Sequence, residues 1–241
     1  MLRVLLATAL VLTLLAVIGI IAWSRIGVMA AEPEPLHEVL EDPRITVTDS
    51  DTALLLEPAG TGAGDAGLVF YPGAKVAPEA YAARLSGLVT EHGMTVVIVR
   101  PLLNLALLDR RDLDTFTDSA LEVETWLVGG HSLGGVRACQ VAPETDGLVL
   151  FAAYCANDLS AQDLPVLSLS GSEDELSTPQ DIAENRGNLP EAAVMQEIDG
   201  ASHARFGNYG EQRGDGTAEI SDEEMDRELM TALAEFVAHS T

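Results

Sequence analysis

Residues 126–135 read Trp126-Leu127-Val128-Gly129-Gly130-His131-Ser132-Leu133-Gly134-Gly135, an apolar run that leads straight into Gly-x-Ser-x-Gly. The pattern describes a strand, a cramped reversal and the start of a helix, with a serine at the apex holding its hydroxyl clear of the backbone. Glycines two before and two after the serine are required because a side chain at either place would clash in so tight a turn. A helix beginning at Leu133 aims its unpaired N–H groups and the positive end of its dipole at the serine. Small residues inside that helix, Val136 and Ala138, suit close packing against the strand. The reading of the motif is therefore a serine prepared as a nucleophile, the alternative being an ordinary strand-to-helix turn.

A serine hydroxyl needs a base, usually a histidine oriented by a carboxylate. In a strand–turn–helix setting of this kind the chain order is serine, acid, histidine. Two histidines follow Ser132. His239 falls on an amphipathic helix near the end and is expected to face solvent. His203 lies in Asp199-Gly200-Ala201-Ser202-His203, just past the strand-like run Ala193–Ile198, and is the expected base. The acid is sought after the strand Pro165–Ser170, where Gly171-Ser172-Glu173-Asp174-Glu175 offers three consecutive carboxylates. Asp174 is favoured because a Gly-x-x-Asp turn brings the fourth residue back over the sheet edge. Glu173 and Glu175 are then solvated, and Asp158 is the alternative acid. Two oxyanion donors are expected: the N–H of Leu133, and one from the loop after an earlier strand. The strand Ala66–Tyr71 followed by Pro72-Gly73-Ala74-Lys75 points to the Ala74 N–H, with Lys75 as the other candidate and a plain turn before a helix at Pro78 as the structural alternative.

These segments, Phe70–Lys75, Gly130–Gly135, Gly171–Asp174 and Ser202–Gly216, resemble the α/β-hydrolases. The likeness is to the compact, lidless single-domain group near dienelactone hydrolases and small bacterial esterases. It extends over nearly all of residues 45–239. The resemblance implies an eight-stranded, mostly parallel sheet with helices on both faces, no cofactor, and a Ser132–Asp174–His203 triad. Dienelactone hydrolases carry cysteine as nucleophile, so Ser132 argues against that particular activity. The expected function is cleavage of small carboxylic esters through an acyl-enzyme. The alternatives are acyl transfer or thioester cleavage by the same triad, or a non-catalytic binding domain on a membrane tether.

The 241 residues suffice for one such domain preceded by a segment of another kind. Val4–Trp23 carries no charge, is bracketed by Arg3 and Arg25, and has only Thr8 and Thr13 as polar side chains. That is long enough to span a bilayer as a helix. The expected division is a transmembrane anchor at 1–30, a Pro-bearing acidic spacer at 31–43 and a catalytic domain at 44–241. A cleaved signal is the rival, with Val28-Met29-Ala30 as its cleavage site. Arg3 and the α-amino group before the helix favour a cytoplasmic N-terminus and an extracytoplasmic domain. Beyond residue 30 lie all 38 acidic residues and 11 of the 13 basic ones, a formal charge of −27. Such a charge disfavours nucleic acid and anionic lipid as partners, since neutralising phosphates needs clusters of Lys and Arg. No obligate protein partner is implied. No Cys–His spacing suggests a metal site. The two cysteines, Cys139 and Cys155, could form a disulfide in an exported domain, but free buried thiols are the expectation, because one lies about two turns down the helix after Ser132 and the other past a strand end.

Strands alternating with helices argue for a doubly wound parallel sheet. Ile45–Val47 and Ala53–Leu56 are expected as antiparallel edge strands, Gly60–Gly67 as a loop, and a helix from Pro78 as stopped by Gly93. Met94–Val99 reads as a buried strand, and a final helix starts at the capping box Ser221-x-x-Glu224. Only about twenty residues separate Ala153 from Asp174, too few for an inserted helical cap, so the site should be open. Leu102–Leu108 follows a strand end on the site's side. It reads either as an apolar wall for an acyl chain, with Asn104 as a polar contact, or as leucines docking a helix on the sheet. Lys75, the only lysine, is expected at the surface.

Overall fold

The computed structural model describes residues 2–60, 62–118, 120 and 122–240, so Thr61 of the expected 60–67 loop and the terminal residues of the first and last predicted segments lie outside it. Eight strands form one sheet: β1 (Ile45–Asp49), β2 (Ala53–Pro58), β3 (Ala66–Tyr71), β4 (Thr95–Val99), β5 (Thr125–His131), β6 (Gly147–Phe151), β7 (Val166–Gly171) and β8 (Val194–Ile198). Their spatial order is β1-β2-β4-β3-β5-β6-β7-β8. β1 and β2 pair antiparallel at one edge, and β3 to β8 run parallel. The central strands β3, β4 and β6 are near-continuous apolar runs because both faces are covered, whereas the edge strand β8 is largely exposed. Side chains alternate between two cores. Leu68, Phe70, Val96, Ile98, Leu127 and Phe151 face one, while Val69, Tyr71, Val97, Val99, Val128 and Leu150 face the other.

Helices α2 (Pro33–Glu41), α3 (Ala82–His92) and α7 (Asp222–Ser240) cover the first face, α3 stopping at Gly93 with φ 67°. α5 (Leu133–Val141), with the short α4 (Asp114–Thr117), packs on the second, and α6 (Pro179–Glu184) follows β7. Arg84 of α3 is fully buried and pairs with Asp222 and Asp226 of α7. It also donates to the carbonyl of Arg205, tying the loop after β8 to both helices.

Chain order reverses at β3: β4 lies on one side of it and β5 on the other, which opens a crevice at the carboxyl ends of these strands. All five non-glycine residues with left-handed φ among those described sit on loops just past β3 to β6, namely Lys75, Leu103, Asn104, Ser132 and Ala152. Strain held at one edge marks where the fold is built for something other than stability.

Two expectations are corrected. Residues 31–43 are no loose spacer. Met29 bridges to the segment after β3, the Glu32 N–H donates to Asn208 O (2.8 Å), and Pro33–Glu41 forms α2 on the core. Val39 is buried and Leu36 packs against the same core, an amphipathic face that the Glu-Pro composition at its start obscures. Cys139 and Cys155 are disulfide-bonded, not free, with Cα atoms 5.5 Å apart. The chain leaving β6 turns back alongside α5: a Cβ at Gly135 would meet Ala153, and Asn157 donates to Cys139 O. Four residues of helix and two of extended chain both advance about 6 Å, so Cys139 and Cys155 arrive together.

The N-terminal α1 (Leu2–Arg25) is long and apolar enough to cross a membrane, and its described side chains up to Trp23 are exposed.

Candidate active site

β5 delivers Ser132 to the crevice in a turn with φ 52° and ψ −123°. Its N–H donates to Phe151 O (3.0 Å), and α5 begins at the next residue, as expected. The turn is so tight that a Cβ at Gly130 would lie 2.4 Å from the Gly134 carbonyl carbon, and α5 starts so close to the end of β3 that one at Gly134 would lie 2.0 Å from Tyr71 O. Ser132 and Leu133 are half-buried, and the Ser132 hydroxyl has no hydrogen-bond partner among the described residues. Leu133, the first helical residue, has an N–H without an acceptor in its own helix.

Asp174 and His203 meet across the loops after β7 and β8. Asp174 Oδ2 lies 2.8 Å from His203 Nδ1, both side chains being buried. The Gly-x-x-Asp turn forms as expected, with the Asp174 N–H on Gly171 O (3.3 Å). Oδ1 accepts from the N–H groups of Leu176 (2.8 Å) and Ser177 (2.7 Å), which locks the carboxylate plane. With Nδ1 donating to the carboxylate, His203 keeps its lone pair on Nε2. Glu173 is half-buried and Glu175 exposed, as acidic neighbours of a single buried acid. Asp158 is exposed and turned to Ser160, and His239 is exposed on α7, so neither joins the site.

The loop after β3 is stretched around Ala74. Gly73 N–H donates to Tyr81 Oη (3.0 Å), Lys75 N–H to Asn104 O (2.8 Å) and Val76 N–H to Gly73 O (3.2 Å). Among the described residues the Ala74 N–H has no partner, whereas that of Lys75, the other candidate, is occupied. Lys75 itself is not a free surface lysine. Its ammonium sits 3.8 Å over the Trp23 ring and donates to Trp23 O and Ile26 O at the end of α1.

Three residues outside the sequence-based expectations organise the site. His131 Nε2 lies 3.1 Å from His203 O, which can only accept, so Nε2 carries the proton. Nδ1 of His131 then accepts from the Tyr81 hydroxyl (2.9 Å), whose oxygen accepts from Gly73. One directional chain thus joins the β3 loop, the serine turn and the carbonyl of His203. Burial, and then the neighbouring His203, hold the His131 pKa well below the usual histidine value, keeping it neutral. Burial likewise pushes the Tyr81 phenol up, so it stays a hydroxyl donor. Asp215 accepts from the N–H groups of His203 (3.1 Å) and Ala204 (2.8 Å), pinning the loop that carries the histidine. The Gly-Asp-Gly around Asp215 is its only signal in the sequence.

A family model described as the alpha/beta hydrolase family matches residues 67–227. Among solved structures the chain is similar to a predicted CIB-like hydrolase from Thermoplasma acidophilum, at 11% identity and a TM-score of 0.58, covering 81% of this chain and 99% of that one. It is also similar to TT1662 from Thermus thermophilus, at 16% identity and a TM-score of 0.56, over 80% and 98% of the two chains. At these identities the likeness bears on the fold. No curated protein matches. With about two thirds of its length in the family model, and with the sheet order and serine turn already described, the chain belongs to the alpha/beta hydrolase family.

Proposed function

We propose that this chain is a membrane-anchored serine hydrolase that cleaves carboxylic esters through an acyl-enzyme. The observation that carries the reading is the 2.8 Å bond from His203 to the buried Asp174, in a chain whose serine turn holds an unpartnered hydroxyl. Ser132 Oγ attacks the ester carbonyl while His203 Nε2 takes its proton. Asp174 holds the imidazole in the tautomer that makes this possible and stabilises the imidazolium. The oxyanion accepts from the N–H groups of Leu133 and Ala74, neither of which has a protein partner among the described residues. Collapse expels the alcohol with a proton from His203, and water activated by the same nitrogen releases the acid.

Attachment to the membrane draws support from the residues around the rival cleavage site. Met29 donates to Lys75 O (2.7 Å) and accepts from Ala77 N–H (2.8 Å), so cleavage after Ala30 would remove part of the domain's own packing. The Cys139–Cys155 disulfide suits an oxidising compartment and an extracytoplasmic domain. The test is a fluorophosphonate probe on the full chain, with nitrophenyl butyrate turnover beside it. Labelling of Ser132, and loss of at least about a thousandfold in turnover with Ser132→Ala, is the expected result. A folded Ser132→Ala that keeps its activity overturns the reading.

A further inference from the structure

We infer that the carboxyl edge of the sheet, with the site on it, lies against the bilayer surface, and that the substrates are long-chain acyl esters resident in that membrane. The substrate part rests on the serine-hydrolase reading of Ser132; the orientation part does not. α1 ends on the same edge as the crevice. Its last carbonyls are capped by Lys75, the residue after Ala74, and by the Asn104 amide, which donates to Ser24 O (3.0 Å). Lys75 N–H in turn holds Asn104 O, so the loops after β3 and β4 grip the helix as one unit. Ser24 is fully buried in that grip. Three of the five strained residues, Lys75, Leu103 and Asn104, belong to it.

The connection has no slack. Arg25 ends the helix, and Met29 is already hydrogen-bonded to the domain. A flexible tether would let the domain tumble at any angle; this one sets a single orientation. A helix of 24 residues is about 36 Å long, a little more than a hydrocarbon core of about 30 Å. Its last turn therefore emerges at the headgroups, where Trp23 is the residue type that settles at that level. Lys75, packed on Trp23, fixes the β3 loop at the same depth.

The surface beside the grip is apolar. Ile26, Leu102 and Leu108 are 71%, 53% and 52% exposed, although Ala106 between the two leucines is buried. Leucines left in water next to the foot of a membrane helix face lipid instead. Ile26 and the turn that begins at Leu102 border Lys75, next to the Ala74 N–H, so an acyl chain leaving the bilayer passes over this surface to reach Ser132. No helix is inserted between β6 and β7 among the described residues, so nothing there stands between the crevice and the membrane. The strongly acidic domain is held at this surface by the span rather than by headgroup charge.

The experiment uses the full chain in phosphatidylcholine vesicles with the domain outward. Two bilayer-retained probes, a phosphatidylcholine and a diacylglycerol with quenched fluorescent acyl chains, are placed either in the protein's own vesicles or in separate ones. Soluble nitrophenyl butyrate is assayed in both. Cleavage of either probe at least about tenfold faster in the shared bilayer, with equal butyrate turnover, is expected from confinement in one surface. Butyrate turnover without that advantage overturns the inference and leaves the hydrolase reading standing. Absence of butyrate turnover sinks the hydrolase reading and the substrate assignment with it. Orientation is read separately by quenching with lipids brominated near the headgroup. In a chain carrying Trp23→Phe, Trp126→Phe and Leu108→Trp the indole should be quenched. Native Trp126, about 20 Å from Ser132 at the far end of β5, should not be in a Trp23→Phe chain. The reverse pattern overturns the orientation.

Discussion

Asp174→Asn separates the role of the acid from its shape. In the wild-type chain Oδ1 accepts from two backbone N–H groups, of Leu176 and Ser177, and Oδ2 faces His203 Nδ1 at 2.8 Å. Asparagine has one acceptor oxygen, and the two converging donors hold it at the Oδ1 position. Its NH2 then points at His203 and donates where the carboxylate accepted. The imidazole responds by presenting a lone pair at Nδ1 and carrying its proton on Nε2, the nitrogen proposed to take the serine proton. Flipping the amide would restore the tautomer but leave the buried N–H of Ser177 and the part-buried N–H of Leu176 facing an NH2, at about 1–3 kcal/mol each. The unproductive arrangement is thus favoured by about 2–6 kcal/mol. With the imidazolium also losing its counter-charge, kcat should fall by roughly a thousand- to ten-thousandfold, about 4–5.5 kcal/mol in barrier. Steady-state rates on nitrophenyl butyrate measure this, with thermal unfolding showing that the variant is folded. A folded Asp174→Asn chain within tenfold of wild type would refute the assignment of Asp174 and the tautomer argument together.

Tyr81→Phe removes the hydroxyl that both accepts from Gly73 and donates to His131, leaving two buried groups unpaired. Denaturant unfolding should register a loss of about 2–4 kcal/mol, and a change under 0.5 kcal/mol would count against the chain of bonds. The double variant Cys139→Ala/Cys155→Ala should lose about 3 kcal/mol of stability, judged from a loop whose ends are 16 positions apart in sequence, while butyrate turnover is kept. His131 is neutral in the fold but takes a proton in the unfolded chain below about pH 6.5. The unfolded state therefore binds more protons in that range, and stability falls as pH drops from 6.5 toward the depressed folded value. The slope from this residue is at most about 1.4 kcal/mol per pH unit, and His131→Gln should flatten the unfolding free energy by that amount between pH 6.5 and 5. An unchanged slope in His131→Gln would mean that the proton uptake lies elsewhere.

What could be read from the chain was whatever is decided within a few residues. The serine turn is legible because Gly130 is forced by its contact with Gly134 inside a single strand–turn–helix unit, although Gly134 itself is forced by Tyr71 O, far away in sequence. Asp174 is legible because a four-residue turn selects it from its acidic neighbours. His203 follows from chain order. The partners that make these residues a site come from far away in sequence, and no local pattern carries them. Tyr81 and His131 are 50 residues apart, and His131 and His203 are 72 apart. Asp215 reads as one more surface carboxylate until the loop after β8 folds over it. The disulfide is not legible because the path of residues 152–157 back along α5 is a tertiary choice. The helix within residues 31–43 is hidden because an acidic, proline-bearing stretch reads as a spacer, whereas proline in the first turn of a helix is well tolerated.

The strain at Ser132 explains why so many contacts converge on one turn. A non-glycine residue held in that region of backbone space costs about 1–3 kcal/mol and survives only where the surroundings over-determine it. Here the N–H on Phe151 O ties the turn to β6, the Gly134 contact with Tyr71 O ties it to β3, and His131 ties it to the loop after β8. Gly134→Ala removes none of these bonds but puts a methyl 2.0 Å from a carbonyl oxygen, so α5 must back away from β3. Leu133 moves with α5 and Ala74 stays with β3, which separates the two proposed oxyanion donors. The expected signature is a fall in kcat for butyrate much larger than any change in KM, because donors aimed at the oxyanion act on the transition state and not on the bound ester. A Gly134→Ala chain that folds and loses only KM would show that the spacing of these two N–H groups does not govern the chemistry.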